Sequence, residues 1–244
     1  NITQEDKMKF KLLINSFLIF SITIFSDEIE IKERISSILP PGTQIEAIEK
    51  SDFPDIYKVY YGDVQPLYVS KDGKYFLYGD MFEIASSEII NLTAADITKR
   101  RIQLMQNIEK DELISFISKN ESYSVTVFTD VDCGYCRKLH DEIEDYNKMG
   151  ISIHYAAFPR SGIGTEAFTK MVGAWCSEDP KNSITSLKNG KNLRLNFCDS
   201  QPVAKHYAIG QKLGINGTPA IISEDGELYP GYFSPKDLLD KLKS

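Results

Sequence analysis

The chain has 244 residues, 42% of them hydrophobic and 26% charged, which suits one large or two small globular domains and excludes a disulfide-stapled miniprotein. With 35 acidic against 28 basic residues the net charge is −7, so the basic footprint of a nucleic-acid-binding protein is missing and anionic membrane surfaces are disfavoured. All four cysteines lie after residue 130, at 133, 136, 176 and 198.

Residues 1–26 differ in kind from the rest. Lys7, Lys9 and Lys11 precede a mostly apolar run from Leu12 to Phe25, and Ser26 ends it before Asp27 and Glu28. This is the order of a secretory signal peptide, and the run falls short of the roughly 20 residues of a membrane-spanning helix. The reading is a cleaved signal over 1–26, with Met8 as the start and 1–7 as an upstream extension; an uncleaved anchor or a core helix are the alternatives. Export delivers the cysteines to an oxidising compartment.

Ile31, Ile35, Ile38 and Leu39 predict a helix over 29–39, ended by Pro40-Pro41-Gly42. Short apolar runs follow, Ile56 to Tyr61, Leu67 to Val69, Tyr75 to Tyr78 and Met81 to Ile84, separated by Gly62-Asp63, Lys71-Asp72-Gly73 and Gly79-Asp80. These are hairpin signals and predict one small antiparallel sheet. The expected N-terminal domain, 27–90, has a thin core; it either dimerises through sheet edges or tyrosine-rich faces, or packs on its own chain. Thr93 as N-cap with Asp96 at N3 opens a helix over 93–110, which either links two domains (linker 91–112) or lies on the second.

From Tyr123 the pattern becomes α/β. A strand through Val125 and Val127 precedes a helix marked by Cys136, Leu139, Ile143 and Tyr146 and ended by Gly150, and Ile151 to Phe158 is a second strand parallel to the first. Helices over 165–176 and 203–213 flank a Lys- and Asn-rich polar segment reaching about 197, in which 188–192 reads as a solvated loop. Ala220 to Ser223 and Glu227 to Tyr229 form a hairpin, and Ser234, Pro235 and Asp237 open the last helix. The domain runs from 113 to 244.

Cys133-Gly134-Tyr135-Cys136 falls at the strand-to-helix junction. Free N–H groups and the positive end of the helix dipole favour a thiolate at Cys133, while Cys136, one turn in, is buried and resolves the mixed disulfide. A zinc half-site and an inert disulfide are the competing readings of Cys-x-x-Cys; zinc lacks a second such pair, and His140 does not complete a site by itself. Gly217-Thr218-Pro219-Ala220 places a proline at a strand opening, where a cis peptide is the usual device.

Cys-Gly-Tyr-Cys with Gly-Thr-Pro-Ala some 80 residues later before a hairpin resembles the thioredoxin fold. Val127-Phe128-Thr129-Asp130, Lys138-Leu139-His140, Gly214 to Ala220 and Pro230-Gly231-Tyr232, with Lys71 to Lys74 and Gly79 to Phe82, are similar to motifs of the DsbC/DsbG family of periplasmic disulfide isomerases. That likeness implies an α+β N-terminal dimerisation domain, small antiparallel sheet plus helix, joined by a linker helix to an α/β thioredoxin-like domain with a helical insertion. It also implies a homodimer, catalytic Cys133 and Cys136 with Gly134 and Tyr135 as the active-site loop, and Thr218 and cis Pro219 as substrate-binding residues. A structural disulfide between Cys176 and Cys198 is implied too; the loop of 22 residues suits a closure worth about 3 kcal/mol. Arg137 stands where the best-known isomerase has histidine, and a cation there is expected to favour the thiolate. The expected partners are misoxidised or unfolded secreted proteins and a membrane thiol reductase, with neither metal nor cofactor. A dithiol oxidase and a redox-capable holdase chaperone are the competing functions.

Overall fold

The structure is a computed structural model that describes residues 27–193 and 196–244. The signal-peptide reading of 1–26 lies outside the described residues. The chain forms two compact units, one reaching Thr93 and the other starting at Ala94.

In the first unit, helix α1 (27–38) buries Ile31 and Ile35 against a four-stranded antiparallel sheet, β1 (Ala47–Lys50), β2 (Ile56–Tyr60), β3 (Leu67–Ser70) and β4 (Phe76–Tyr78), in that order. Tyr57, Val59, Leu67 and Val69 complete this small core. Ile31 and Ile35 are one helical turn apart, so a single stripe of α1 meets the pleated face. The turn between β3 and β4 needs Gly73, whose φ is +65° and whose N–H donates to Ser70 O at 2.8 Å. The face of β4 is bare, with Leu77 73% exposed.

Gly79-Asp80 does not close the predicted hairpin. β5 (Phe82–Ile84) pairs instead with β6 (Ile89–Asn91), a strand the sequence reading did not assign, and the two form a separate sheet. Thr93 is not an N-cap either. Helix α2 (Leu92–Met105) starts before it, and the Thr93 hydroxyl is fully buried, accepting from Met81 N at 2.7 Å and pairing with Tyr68 OH at 2.6 Å.

In the second unit α2 ends at Met105, short of 110, because Asn107 and Ile108 donate back to Leu104 and Met105 three residues away and tighten the chain out of the α-helix. A 3-10 turn (Lys110–Glu112) leads into β7 (Ile114–Phe116), which the sequence reading missed. The sheet has the order β11-β10-β8-β9-β7, with β8 (Tyr123–Thr129) and β9 (Ile151–Ala157) parallel and the remaining neighbours antiparallel. Strands β10 (Ala220–Ser223) and β11 (Leu228–Pro230) are the expected hairpin.

Alternation along β8 builds two cores. Val125 and Val127 point to one face, with Leu139, Tyr146, Met171, Ile184 and Leu238, and Phe128 points to the other, with Phe158, Ile209 and Leu213. The helix after β8 is broken in two, α3 (Gly134–Asp141) and α4 (Ile143–Lys148), because Glu142 donates to Leu139 O, an i−3 acceptor. The stripe survives the break, so Leu139, Ile143 and Tyr146 are all buried. Helix α5 (Glu166–Trp175) is capped by the Thr165 hydroxyl. The polar segment after it holds another helix, α6 (Pro180–Lys188), capped by Asp179. In α7 (Val203–Lys212), a Cβ on Gly210 would stand 2.6 Å from the Phe158 ring, so only glycine lets this helix lie so close. Ser234 caps α8 (Pro235–Leu242) by accepting from Asp237 N.

Candidate active site

Cys133 is the N-cap of α3, with φ −88° and ψ 121°, and its sulfur accepts from Cys136 N at 3.4 Å. A helix whose first turn lacks acceptors presents its N–H groups to whatever occupies the cap, and here that is a thiol. The sulfur also lies 3.2 Å from the carbonyl oxygen of Thr218, whose bond to Pro219 is cis. Two segments 85 residues apart in sequence thus meet at one atom. Both thiols are free, with Cys133 3% and Cys136 1% exposed.

Their electrostatics diverge. The hydrogen bond from the Cys136 thiol, above all, lowers the Cys133 thiol to about 5, with Thr218, the Cys136 N–H and the Arg160 guanidinium adding to the effect and desolvation opposing it. Burial and the same hydrogen bond push Cys136 well above an ordinary thiol. At neutral pH one sulfur is a thiolate and the other a thiol.

The cation lowering Cys133 is Arg160, not the expected Arg137. Arg137 turns its Nε onto Val131 O at 3.1 Å, with Nη2 3.7 Å from Asp132. Arg160 is held by Asp130, itself 2% exposed, whose Oδ2 accepts from Arg160 N at 3.0 Å and from Nε at 3.2 Å. Its place after β9, 27 positions from Cys133 in sequence, left no local signal.

The run 188–192 is not wholly a solvated loop. Lys188 closes α6 and is 3% exposed; its Nζ donates to Thr129 Oγ1 at 2.8 Å and lies 5.1 Å from the centre of the Tyr155 ring. Burial lowers its ammonium to about 8, against the opposing pull of Cys136, Cys133 and Asp130. A signal was available: Ile184, Leu187 and Lys188 share the i, i+3, i+4 spacing of one buried helix face.

Tyr135 is exposed and stacks on Tyr232 at 6.2 Å, and Lys138 Nζ sits 4.3 Å over the Tyr232 ring, whose hydroxyl donates to Glu142. His140, weighed above as a zinc ligand, engages Tyr155 OH through Nδ1 at 3.1 Å and Thr185 Oγ1 through Nε2 at 2.9 Å. Burial lowers its imidazole to about 4, so it is neutral at pH 7. Cys176, the C-cap of α5, is disulfide-bonded to Cys198, with Cα atoms 5.6 Å apart. The bond encloses α6.

Residues 110–244 match the family model of the thioredoxin-like domain, and residues 24–94 that of the disulfide bond isomerase protein N-terminal domain. The chain is 32% identical over 232 residues to thiol:disulfide interchange protein DsbC of Salmonella typhimurium, covering 95% of this chain and 94% of that protein. It is 38% identical over 176 residues to the DsbC of Escherichia coli K12, covering 72% of each. Among solved structures, Proteus mirabilis ScsC in a transitional conformation aligns with a TM-score of 0.50 at 17% identity over 60% of this chain and 79% of that one, a likeness of fold alone. A thioredoxin-like domain behind an isomerase-type N-terminal domain, together with one relative alike over nearly the whole length and another over 72% of it, places the function in thiol-disulfide exchange: the chain belongs to the DsbC/DsbG family of thiol:disulfide interchange proteins.

Proposed function

We propose that this chain is a periplasmic disulfide isomerase and reductase in which Cys133 is the nucleophile and Cys136 the resolving thiol. The observation that carries the assignment is the place of Cys133 at the cap of α3, where its sulfur accepts from Cys136 N at 3.4 Å and lies 3.2 Å from Thr218 O, in keeping with a Cys133 thiol lowered to about 5 and a Cys136 thiol raised. The Cys133 thiolate attacks a disulfide of a misoxidised secreted protein, forming a mixed disulfide and releasing a substrate thiolate. A low-pKa sulfur is also a good leaving group, so the intermediate is readily undone. A second substrate thiolate attacks the substrate sulfur of the mixed disulfide, closing a new pairing and releasing the Cys133 thiolate, which is isomerisation, or Cys136 attacks Cys133, which is reduction.

Thr218 and Pro219 line a groove with Ile215, Leu228 and Pro230, which supports their role in receiving an extended substrate strand. Tyr135, two positions past the nucleophile, is an exposed ring stacked on Tyr232, and with Gly134 it is read as the active-site loop.

The first unit is read as a homodimerisation domain, 27–90, and 91–112 as its linker to the catalytic domain, 113–244. The exposed Phe76, Leu77 and Tyr78 on the edge strand β4, with exposed Tyr75 just before it, support pairing with a second copy. A Cys176–Cys198 disulfide persists in an oxidising compartment, which supports export by a signal over 1–26. Among the described residues no helix is long and apolar enough to cross a membrane. Turnover as a reductase requires an electron donor, which for an exported protein is a membrane thiol reductase. The oxidase and holdase readings are not favoured.

Recovery of enzymatic activity from a scrambled multi-disulfide substrate in glutathione buffer tests the assignment. The full chain should accelerate recovery and Cys133→Ser should not. Acceleration by Cys133→Ser would refute the nucleophile, and full activity of Leu77→Glu as a monomer, established by sedimentation, would refute the need for a dimer.

A further inference from the structure

Reduction requires Cys136 to attack as a thiolate, yet its sulfur is buried and its thiol form strongly favoured. Cys136 is inside the first turn of α3 while the cap position belongs to Cys133, so the helix end serves the other sulfur. A neighbouring positive charge must therefore lower the cost of ionising Cys136.

The nearby cations differ in how far they are already engaged. Arg160 is paired with Asp130, Arg137 is turned onto Val131 O and Asp132, Lys138 lies over Tyr232, and His140 is neutral with both ring nitrogens engaged. Lys188 is different. Its hydrogen-bond acceptor is the neutral hydroxyl of Thr129, and its Nζ lies 5.1 Å from the centre of the Tyr155 ring, whose hydroxyl meets His140, one turn along α3 from Cys136, so the ammonium is close enough to that face of α3 to favour a Cys136 thiolate. The groups facing it are Cys133 at the cap of α3, Cys136, Arg137 and His140 from α3, Asp130 beyond β8, and Tyr155 from β9. A buried ammonium is costly, and packing alone at the end of α6 would be served better by leucine or methionine.

We propose that Lys188 is a positioning residue for the resolving step: its buried ammonium, tethered to Thr129, stabilises the Cys136 thiolate and thereby sets how often a mixed disulfide ends in reduction rather than isomerisation. The inference rests on the assignment of Cys133 and Cys136 above. In the step concerned, Cys136 gives its proton to solvent and its sulfur bonds to Cys133 Sγ. The bond between Cys133 and the substrate sulfur breaks, and that sulfur departs as a thiolate and takes a proton from solvent. The dithiol is oxidised, and the substrate disulfide is reduced to two thiols. With Lys188 absent, the mixed disulfide lives longer and substrate thiols have more time to rearrange.

The reduced full-length protein reacting with oxidised glutathione separates the two steps, since acid quenching and mass spectrometry count the Cys133–glutathione adduct and the internal disulfide independently. In Lys188→Met the first step should stay within about twofold of the parent and the second should slow about tenfold at pH 7, the effect of one pKa unit on Cys136, with the adduct accumulating. The parent's second step should rise with pH and flatten near pH 8, where Lys188 discharges, and the variant's should rise through that range without a break. Thr129→Val, which keeps the shape and removes the tether, should slow the same step by a smaller factor. An unchanged second step in Lys188→Met, or equal slowing of both steps, overturns the proposal. Adduct formation by Cys133→Ser would instead overturn the underlying assignment, whatever Lys188 does.

Discussion

The second unit holds two cysteine pairs whose chemistry is set by surroundings rather than by residue type. Cys133 and Cys136 begin a helix: one sulfur takes the cap and receives an N–H, and the other is enclosed one turn on, so the pair is unbonded and electrically asymmetric. Cys176 ends a helix and meets Cys198 across an intervening helix, with neither sulfur at a helix start, and the pair is bonded. A cap supplies a reason to be a thiolate. A chain crossing supplies a reason to be a staple.

The strongest way to break this contrast is to disable each pair in turn. Cys133→Ser should abolish exchange with oxidised glutathione, whereas Cys176→Ser/Cys198→Ser should keep the rate at 25 °C within about twofold, since the staple touches no reacting atom; mass spectrometry reads both. The same double variant should instead lose about 3 kcal/mol of stability, the chain-entropy value for a loop of this length, seen as a lower urea midpoint. An unchanged midpoint would remove the distinction between the pairs.

A further contrast is the dependence on pH. The folded value of Cys133, about 5, lies below the roughly 8.5 of an unfolded cysteine, so its contribution to the stability of the reduced protein is complete above pH 8.5 and is lost as pH falls through 5. Between those limits the stability of the reduced parent relative to Cys133→Ser should grow by about 1.4 kcal/mol per pH unit, and a flat difference would contradict the lowered thiol. The smallest expected effect is that of Arg160→Gln. Loss of this half-exposed cation should raise Cys133 by up to about one unit, followed as thiolate absorbance at 240 nm against pH.

What the sequence disclosed follows the range of each signal. β8 and β9 were legible because their apolar residues alternate over seven positions, and α8 because Ser234, Pro235 and Asp237 announce its start. Cys133 and Cys136 declared themselves through position at a strand-to-helix junction. β7 and β6, three residues each, are too short to establish a period, and the partner of β5 depends on where the chain turns after Gly79. Thr93 looked like a cap because capping and burial use the same hydroxyl; its choice of Tyr68 and Met81 depends on tertiary packing. The cations that tune the site, Arg160 and Lys188, come from distant segments and act through space. Lys188 was further disguised by the polar company of Asn189, Gly190 and Lys191.

Strand β8 ends with Thr129, followed at once by Asp130, and each of these consecutive residues holds one of the two cations, Lys188 and Arg160. Neighbouring positions on a strand point opposite ways, so a slip of one residue in the pairing of β8 with β9 would exchange the hydroxyl and the carboxylate and misdirect both charges together. The reactivity of the dithiol is thereby tied to a backbone count: inserting or deleting a single residue between Val127 and Cys133 would detune both sulfurs while leaving every cysteine in place.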